Sequence, residues 1–298
     1  MDDSETMLDR LAARTEATAE FVDELRNTVG VGDMQWSDVE ADYRRLAINN
    51  AVRRQLESLD ATILLARQGL GHLAVPYVRP ALEDLMYLKF FVTLSVEDAQ
   101  DLFTTMGVWD QVRSVMAQHE YIGTKDMLGL WYPQYFLDEA PANRDKYKAK
   151  LKRLQKKYKW AGGDVPSGAW VAEQAGESAL YNYLFAATSR AIHFSAGEVM
   201  RRGWGMPGGI CTTDKPEFRS HLAAFALDQL VRLFLQTWLE TSDLHEKAGL
   251  GDISDLQFEG PIKDKLKVIL SLGRVPLLHA HEFNLTPDGS LIYPEKKQ

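Results

Sequence analysis

Two apolar stretches of this sequence each carry a four-spaced pair of side chains of the kind that moves protons or holds anions. In residues 76–94, PYVRPALEDLMYLKFFVTL, Arg79 and Glu83 are four apart and Tyr87 follows after another four. On a helix that spacing puts all three on one face. In residues 178–202, SALYNYLFAATSRAIHFSAGEVMRR, Ser189 and His193 are spaced in the same way, with Arg190 beside them. A histidine with a carboxylate partner suits proton transfer near neutral pH, and an arginine suits phosphate. If the two helices pack side by side, Glu83 would orient or charge His193 and Arg79 would offset the carboxylate. Arg79 or Arg190 would then hold an anion. The competing reading needs no chemistry. Arg79 and Glu83 form an intrahelical ion pair, and Ser189 and His193 are hydrogen-bonded core groups that fix packing. Polar networks also specify packing without doing chemistry, and the balance falls slightly to this second reading.

A second candidate is the run 143–159, NRDKYKAKLKRLQKKYK, which reads as a strongly basic helix. Lys148, Lys152, Arg153, Lys156 and Lys157, interleaved with Tyr147, Tyr158 and Trp160, could track the phosphates of RNA or DNA and stack bases. A solvated helix face that pairs with acidic neighbours explains the same run and is the favoured reading. His279-x-His281-Glu282 has metal-type donors, but one segment does not supply the three placed ligands of a catalytic zinc, so no metal is expected. There is no H-E-x-x-H, no Walker loop and no G-x-G-x-x-G after a strand, so no cofactor is implied. GWGMPGG at 203–209 follows a helix and reads as its stop, with Cys211 an incidental thiol in that loop.

The elements that must position these groups are helices. Residues 178–202 are apolar nearly all round, as is 76–94, which predicts two buried central helices. Residues 4–29 form a polar helix with sparse apolar positions, expected at the periphery of a region spanning 1–35. From 38 to 70, Ile48, Val52, Leu56, Leu59 and Ile63 make a clean amphipathic stripe. Ser95 caps a helix over 96–118 and Ser167 a short one through Glu173. Residues 121–142 read as an irregular excursion. Another core helix is expected over 214–247 and a shorter one over 260–281. The tail 283–298 has a turn signal at Pro287-Asp288-Gly289 that suits a small hairpin. No linker or repeat stands out, so the chain reads as one all-α multi-helix bundle over 1–298.

Composition narrows the class. A net charge of −8 over 298 residues argues against a general nucleic-acid coat protein, though a local basic site remains compatible. The single cysteine rules out an internal disulfide and fits a reducing cytoplasm. The acidic start lacks the pattern of a secretory signal, and no run reaches the roughly 18 apolar residues of a membrane span.

The R-x3-E of RPALEDLMYL, followed about a hundred residues later by an aromatic-rich helix with S-x3-H, resembles a family of uncharacterised bacterial helical proteins known only as a domain of unknown function. The resemblance spans roughly 58–202. It implies a helical bundle with Arg79, Glu83, Ser189 and His193 as shared polar positions, and no activity. The chain is also similar, more weakly, to the HEPN-type helical bundles, which include ribonuclease toxins and defence effectors. Their signature is Arg, four to six residues, then His. Arg190 and His193 depart from it, whereas Arg67/His72, Arg113/His119 and Arg274/His279 satisfy it, and Arg113/His119 is best placed to lie on one helix. The expected protein is thus a soluble cytoplasmic bundle with an interaction or regulatory role and a buried Arg/Glu/Ser/His network. Its alternative is a HEPN-like ribonuclease or phosphate-ligand enzyme. Partners compatible with the residues are a second copy, RNA or DNA, or a phosphorylated ligand, and no membrane.

Overall fold

The computed structural model describes residues 6–28, 43–130, 132–193, 216–244, 260–280 and 285. Among these, ten α-helices and two short 3₁₀ turns carry the chain, as an all-α multi-helix bundle requires. In order they are α1 (Met7–Thr28), α2 (Tyr43–Arg67), α3 (Val78–Val92), α4 (Val96–Ile122) and α5 (Thr124–Gly129). There follow α6 (Gln134–Tyr158), α7 (Gly168–Gln174), α8 (Ser178–Ile192), α9 (Pro216–Glu240) and α10 (Pro261–Ser271). The 3₁₀ turns are Gly71–Tyr77 and Ser242–Leu244. Contacts gather the chain into two compact units, one of residues 1–34, 45–89 and 178–298 and one of residues 35–44 and 90–177. The C-terminal hairpin expected over 283–298 lies outside the described residues, Leu285 apart.

In the first unit α9 is the centre. Phe225, Leu227, Leu230, Phe234 and Trp238 are buried on successive turns, and buried residues occupy every side of the helix. It packs against α1 and against the turn Gly71–Tyr77. That approach depends on Gly71, where a Cβ would stand 2.6 Å from Ala223 Cβ and 3.0 Å from Ala66 Cα. The stripe Ile48, Val52, Leu56, Leu59 and Ile63 on α2 is buried as its spacing predicts. So are Leu82, Leu85 and Met86 of α3, the expected buried helix of 76–94. Pro76 falls within the 3₁₀ turn and Pro80 in the first turn of α3, where a missing N–H costs least.

Two expectations are corrected in this unit. The N-terminal helix is not peripheral, because Phe21, Val22 and Leu25 are fully buried, together with Arg14, Thr15 and Thr18. Apolar counting missed the face because much of it is threonine. Thr15 and Thr18 donate their hydroxyls to Leu11 O (2.7 Å) and Arg14 O (2.8 Å) in their own helix, so both enter the core satisfied. The stretch 178–202 is likewise not a buried centre over its described part. α8 buries only Leu184, Ala187 and Thr188, while Asn182, Tyr183, Ala186 and Ile192 are exposed. Small and amphipathic residues made it look apolar without demanding burial. Residues 194–202 lie outside the described part.

In the second unit α4 and α6 form the main pair. Ser95 Oγ accepts from Asp98 N at 3.1 Å and starts α4, and Ser167 Oγ accepts from Trp170 N at 3.2 Å and starts α7. The expected excursion over 121–142 is instead α5 and the beginning of α6, which runs through Pro141. Proline removes one hydrogen bond there, but the buried positions Leu137, Ala140, Leu151 and Leu154 keep the helix docked on either side of it. Phe90, Tyr158, Trp160 and Trp170 close an aromatic cluster, with Phe90 edge-on to Trp170 at 5.3 Å and Trp160 to Trp170 at 6.0 Å.

Candidate functional site

In the first unit, α3 and α8 do meet, but not through the residues that sequence spacing put together. Arg79 Nε donates to Glu83 Oε1 at 3.1 Å, and the guanidinium lies 4.4 Å from the centre of the Phe185 ring. Phe185 in turn contacts Tyr181 at 4.9 Å between ring centres. Burial pushes the Tyr87 hydroxyl up to about 12, and the Glu83 carboxylate and Tyr181 push the same way. Burial also raises the Tyr181 hydroxyl, with Arg79 lowering and Glu83 raising it. The cluster is therefore Arg79, Glu83, Tyr87, Tyr181 and Phe185.

Arg79 is thus shared between Glu83 on its own helix and Phe185 on α8. α8 also packs against the 3₁₀ turn Gly71–Tyr77, and through Tyr183 against Phe225 of α9. Ser189 and Arg190 are half-buried, and His193 is exposed just past the last turn of α8, its backbone N–H bonded to Ser189 O at 3.0 Å. Arg79 and Glu83 are joined by a hydrogen bond, and among the described residues none links either of them to Ser189, Arg190 or His193. His193 is not a core histidine. Tyr181 and Phe185 were readable as a four-spaced aromatic pair, but only the packing shows that Phe185 lies under the Arg79 guanidinium.

Two further charged clusters of this unit escaped sequence reading. Asp84, buried beside Glu83, accepts from Arg54 Nε at 3.1 Å and from a second nitrogen of the same guanidinium. Its side chain is 9% exposed against 56% for Arg54. Burial raises the Asp84 carboxyl to about 6, and Arg54 opposes the rise only in part. Deeper still, Asp228 accepts from Arg14 Nη1 (3.3 Å), Arg232 Nε (3.1 Å), Gln229 Nε2 (3.1 Å) and Val275 N (3.2 Å). Arg14 Nη2 donates to Leu272 O (2.9 Å) and Gly273 O (2.8 Å). The available signal was an acid in the apolar run AAFALDQLVRLFLQTWL, with Arg232 four residues on, since a buried carboxylate needs cationic partners.

In the second unit the basic run lies on α6. Lys148 faces Asp164 at 3.7 Å, Arg153 pairs with Asp101 at 2.9 Å, and Lys157 pairs with Asp98. Lys152 and Lys156 are exposed. Trp160 is buried and Tyr158 stacks on it at 6.5 Å, so those two rings serve the aromatic cluster rather than an open stacking surface. A groove of about 610 Å³ between α4 and α6 is lined by Arg113, His119, Glu120 and Arg144, among others. His119 Nε2 is hydrogen-bonded to Thr124 Oγ1 at 2.8 Å, and the Arg113 guanidinium lies 5.8 Å from the Trp109 ring.

Among the described residues, no three His, Cys, Asp or Glu side chains converge to hold a metal ion, and His281, Glu282 and Cys211 lie outside them. No helix among them is long and apolar enough to cross a membrane. The chain belongs to a family of unknown function (DUF5677), whose pattern matches residues 45–205. No curated protein and no solved structure matches it.

Proposed function

We propose that this is a cytoplasmic, non-catalytic interaction or regulatory bundle, in which the polar cluster of α3 and α8 holds two helices in register. The observation that supports this reading is that Arg79 is held by Glu83 and lies over Phe185 of α8, while His193 is exposed past the end of that helix. Among the described residues no carboxylate is paired with His193 to orient it as a base. A contact surface is available in the second unit, where Tyr121, Leu128, Leu130, Tyr135 and Phe136 are exposed between the end of α4 and the first turn of α6.

Thermal midpoints test the reading. Arg79→Ala removes an i,i+4 ion pair and a cation–π contact, together about 1–2 kcal/mol, and should lower the midpoint by a few degrees. His193→Ala, at an exposed position, should stay within about 0.5 kcal/mol of wild type. An unchanged midpoint for Arg79→Ala would end the packing role.

One observation favours a second reading, a HEPN-like ribonuclease. Arg113 and His119 open on one groove together with Arg144. His119 would then exchange the proton while the arginines hold a phosphate. The full-length protein would cleave RNA and His119→Ala would not; an intact substrate with the wild-type protein rules this reading out.

A further inference from the structure

In the second unit, residues 146–159, the last turns of α6 with its C-cap, carry seven lysines, one arginine and no acid. In a chain of net charge −8 that is a local reversal of sign. Acids from other segments answer three of these cations, Asp164 at Lys148, Asp101 at Arg153 and Asp98 at Lys157. Lys146, Lys150, Lys152, Lys156 and Lys159 meet no carboxylate among the described residues. Lys146 and Lys150 lie 5.7 and 5.0 Å from the centre of the Tyr147 ring, a contact that leaves their charge in place. Of the five cations that the sequence singled out, the structure thus keeps Lys152 and Lys156 unpaired and adds three others.

The geometry makes these lysines a row. Lys152 and Lys156 are one turn apart and exposed, turned away from the buried Leu151 and Leu154. From Lys146 to Lys159 the row is about 20 Å long at 1.5 Å per residue. Among the exposed positions of this stretch, Ala149 alone is uncharged.

That composition selects the partner. A protein surface would be met through aromatic or arginine anchors, and lysine is depleted at such contacts. A lipid surface would need apolar side chains beside the lysines, and Leu151 and Leu154 are buried inside the unit. A single strand of nucleic acid would need open rings for its bases, whereas Trp160 is buried and Tyr158 stacks on it. Duplex phosphates ask only for charge. The major groove of B-form DNA is wide enough to admit a helix face, and that of A-form RNA is not.

We propose that the exposed face of α6 binds the phosphate backbone of double-stranded DNA without reading its sequence, through Lys146, Lys150, Lys152, Lys156 and Lys159. This gives the interaction reading a partner. It stands on a different unit from the α3 and α8 cluster and involves no cleavage at His119, so failure of either reading leaves the other intact.

The test is fluorescence anisotropy of a labelled DNA duplex of about two helical turns, titrated with the full-length protein over a range of salt concentrations. The logarithm of the association constant should fall with the logarithm of salt at a slope of about −4.5, from about −0.9 for each phosphate met. Lys152→Gln/Lys156→Gln should bind about tenfold more weakly at low salt and make the slope shallower by about two. Lys263→Gln/Lys267→Gln removes the same charge from an exposed turn of α10 and should bind as wild type does. Lys152 and Lys156 are exposed, so their variant keeps the core, and its thermal midpoint verifies that it is folded. Should it not fold, Lys146→Gln/Lys150→Gln takes its place with the same expectation. Equal losses in the α6 and α10 variants would reduce the effect to net charge and overturn the proposal, as would no binding at low salt. Tighter binding of the single strand, or equal affinity for duplex RNA or polyglutamate, would overturn the choice of duplex DNA.

Discussion

Asp84 offers a test of the packing in which the sign is as informative as the size. In the folded chain its carboxyl is raised from 3.8 to about 6, first because burial penalises the charged form, with Arg54 opposing. A folded-state value above the unfolded one means that the folded protein binds the proton more tightly. The associated stability is fully present below about pH 4, is lost as pH rises toward 6, and is absent above that. The gap corresponds to about 3 kcal/mol, an order-of-magnitude figure suited to a side chain this buried. The perturbation is Asp84→Asn, which keeps the shape and removes the titration. The assay is denaturant unfolding of wild type and variant from pH 4 to 8, compared as a difference so that the other carboxylates cancel. That difference should move by about 3 kcal/mol in favour of the variant between pH 4 and 7. Arg54→Ala should push the wild-type transition to still higher pH, because the opposing cation is gone. Parallel profiles would show that Asp84 is not effectively desolvated. A difference moving the other way would show that the half-exposed Arg54 wins over burial, and either result refutes the reasoning.

Two other substitutions probe the first unit. Gly71→Ala would set a methyl 2.6 Å from Ala223 Cβ and 3.0 Å from the Ala66 backbone, neither of which can swing aside. Overpacking of this kind should cost about 1–3 kcal/mol, visible as a lowered thermal midpoint; an unchanged one would mean that the turn and α9 are not in close contact. Asp228→Ala leaves the Arg14 guanidinium buried without its carboxylate, a loss of about 3–5 kcal/mol. Burial already lowers the Arg14 pKa and Asp228 is what holds it up, so the variant should be stabilised by raising the pH less than by restoring the acid as Asp228→Glu. A midpoint within a degree of wild type would show that the pair contributes nothing.

What could be read from the residues, and what could not, divides along a physical line. Stripes of large aliphatic residues, as on α2, announce both the helix and its buried face, because only burial explains that periodicity. Capping serines at 95 and 167 fixed two helix starts, since their geometry is local. The buried face of α1 was hidden because Arg14, Thr15 and Thr18 count as polar, although each is satisfied inside the unit. Pro141 looked like a breaker because propensity weighs one residue at a time, while docking of four buried positions decides. The polar centre meets a different limit. Spacing shows which residues share a face of one helix, and it is silent on which residues of the neighbouring helix meet that face. Arg79 and Glu83 could be placed on one side of α3, but the contact of Arg79 with Phe185 could not.

The same logic separates the matched span from the unit that folds. Residues 45–205 contain α2, α3 and α8, and with them the Arg54–Asp84 and Arg79–Glu83 pairs. They do not contain α1, α9 or α10, which close the first unit around those helices. Gln55 reaches across to donate to Thr237 Oγ1 at 3.1 Å, Lys89 pairs with Glu240 at 3.1 Å, and Gly71 seats against Ala223. Each of these joins a matched residue to α9. The buried face of the turn at Gly71–Tyr77 would lie open without that helix, and buried apolar groups such as Ala74 and Val75 are not left open by a folded chain. The matched residues of the first unit are therefore held in shape by segments that the match does not cover.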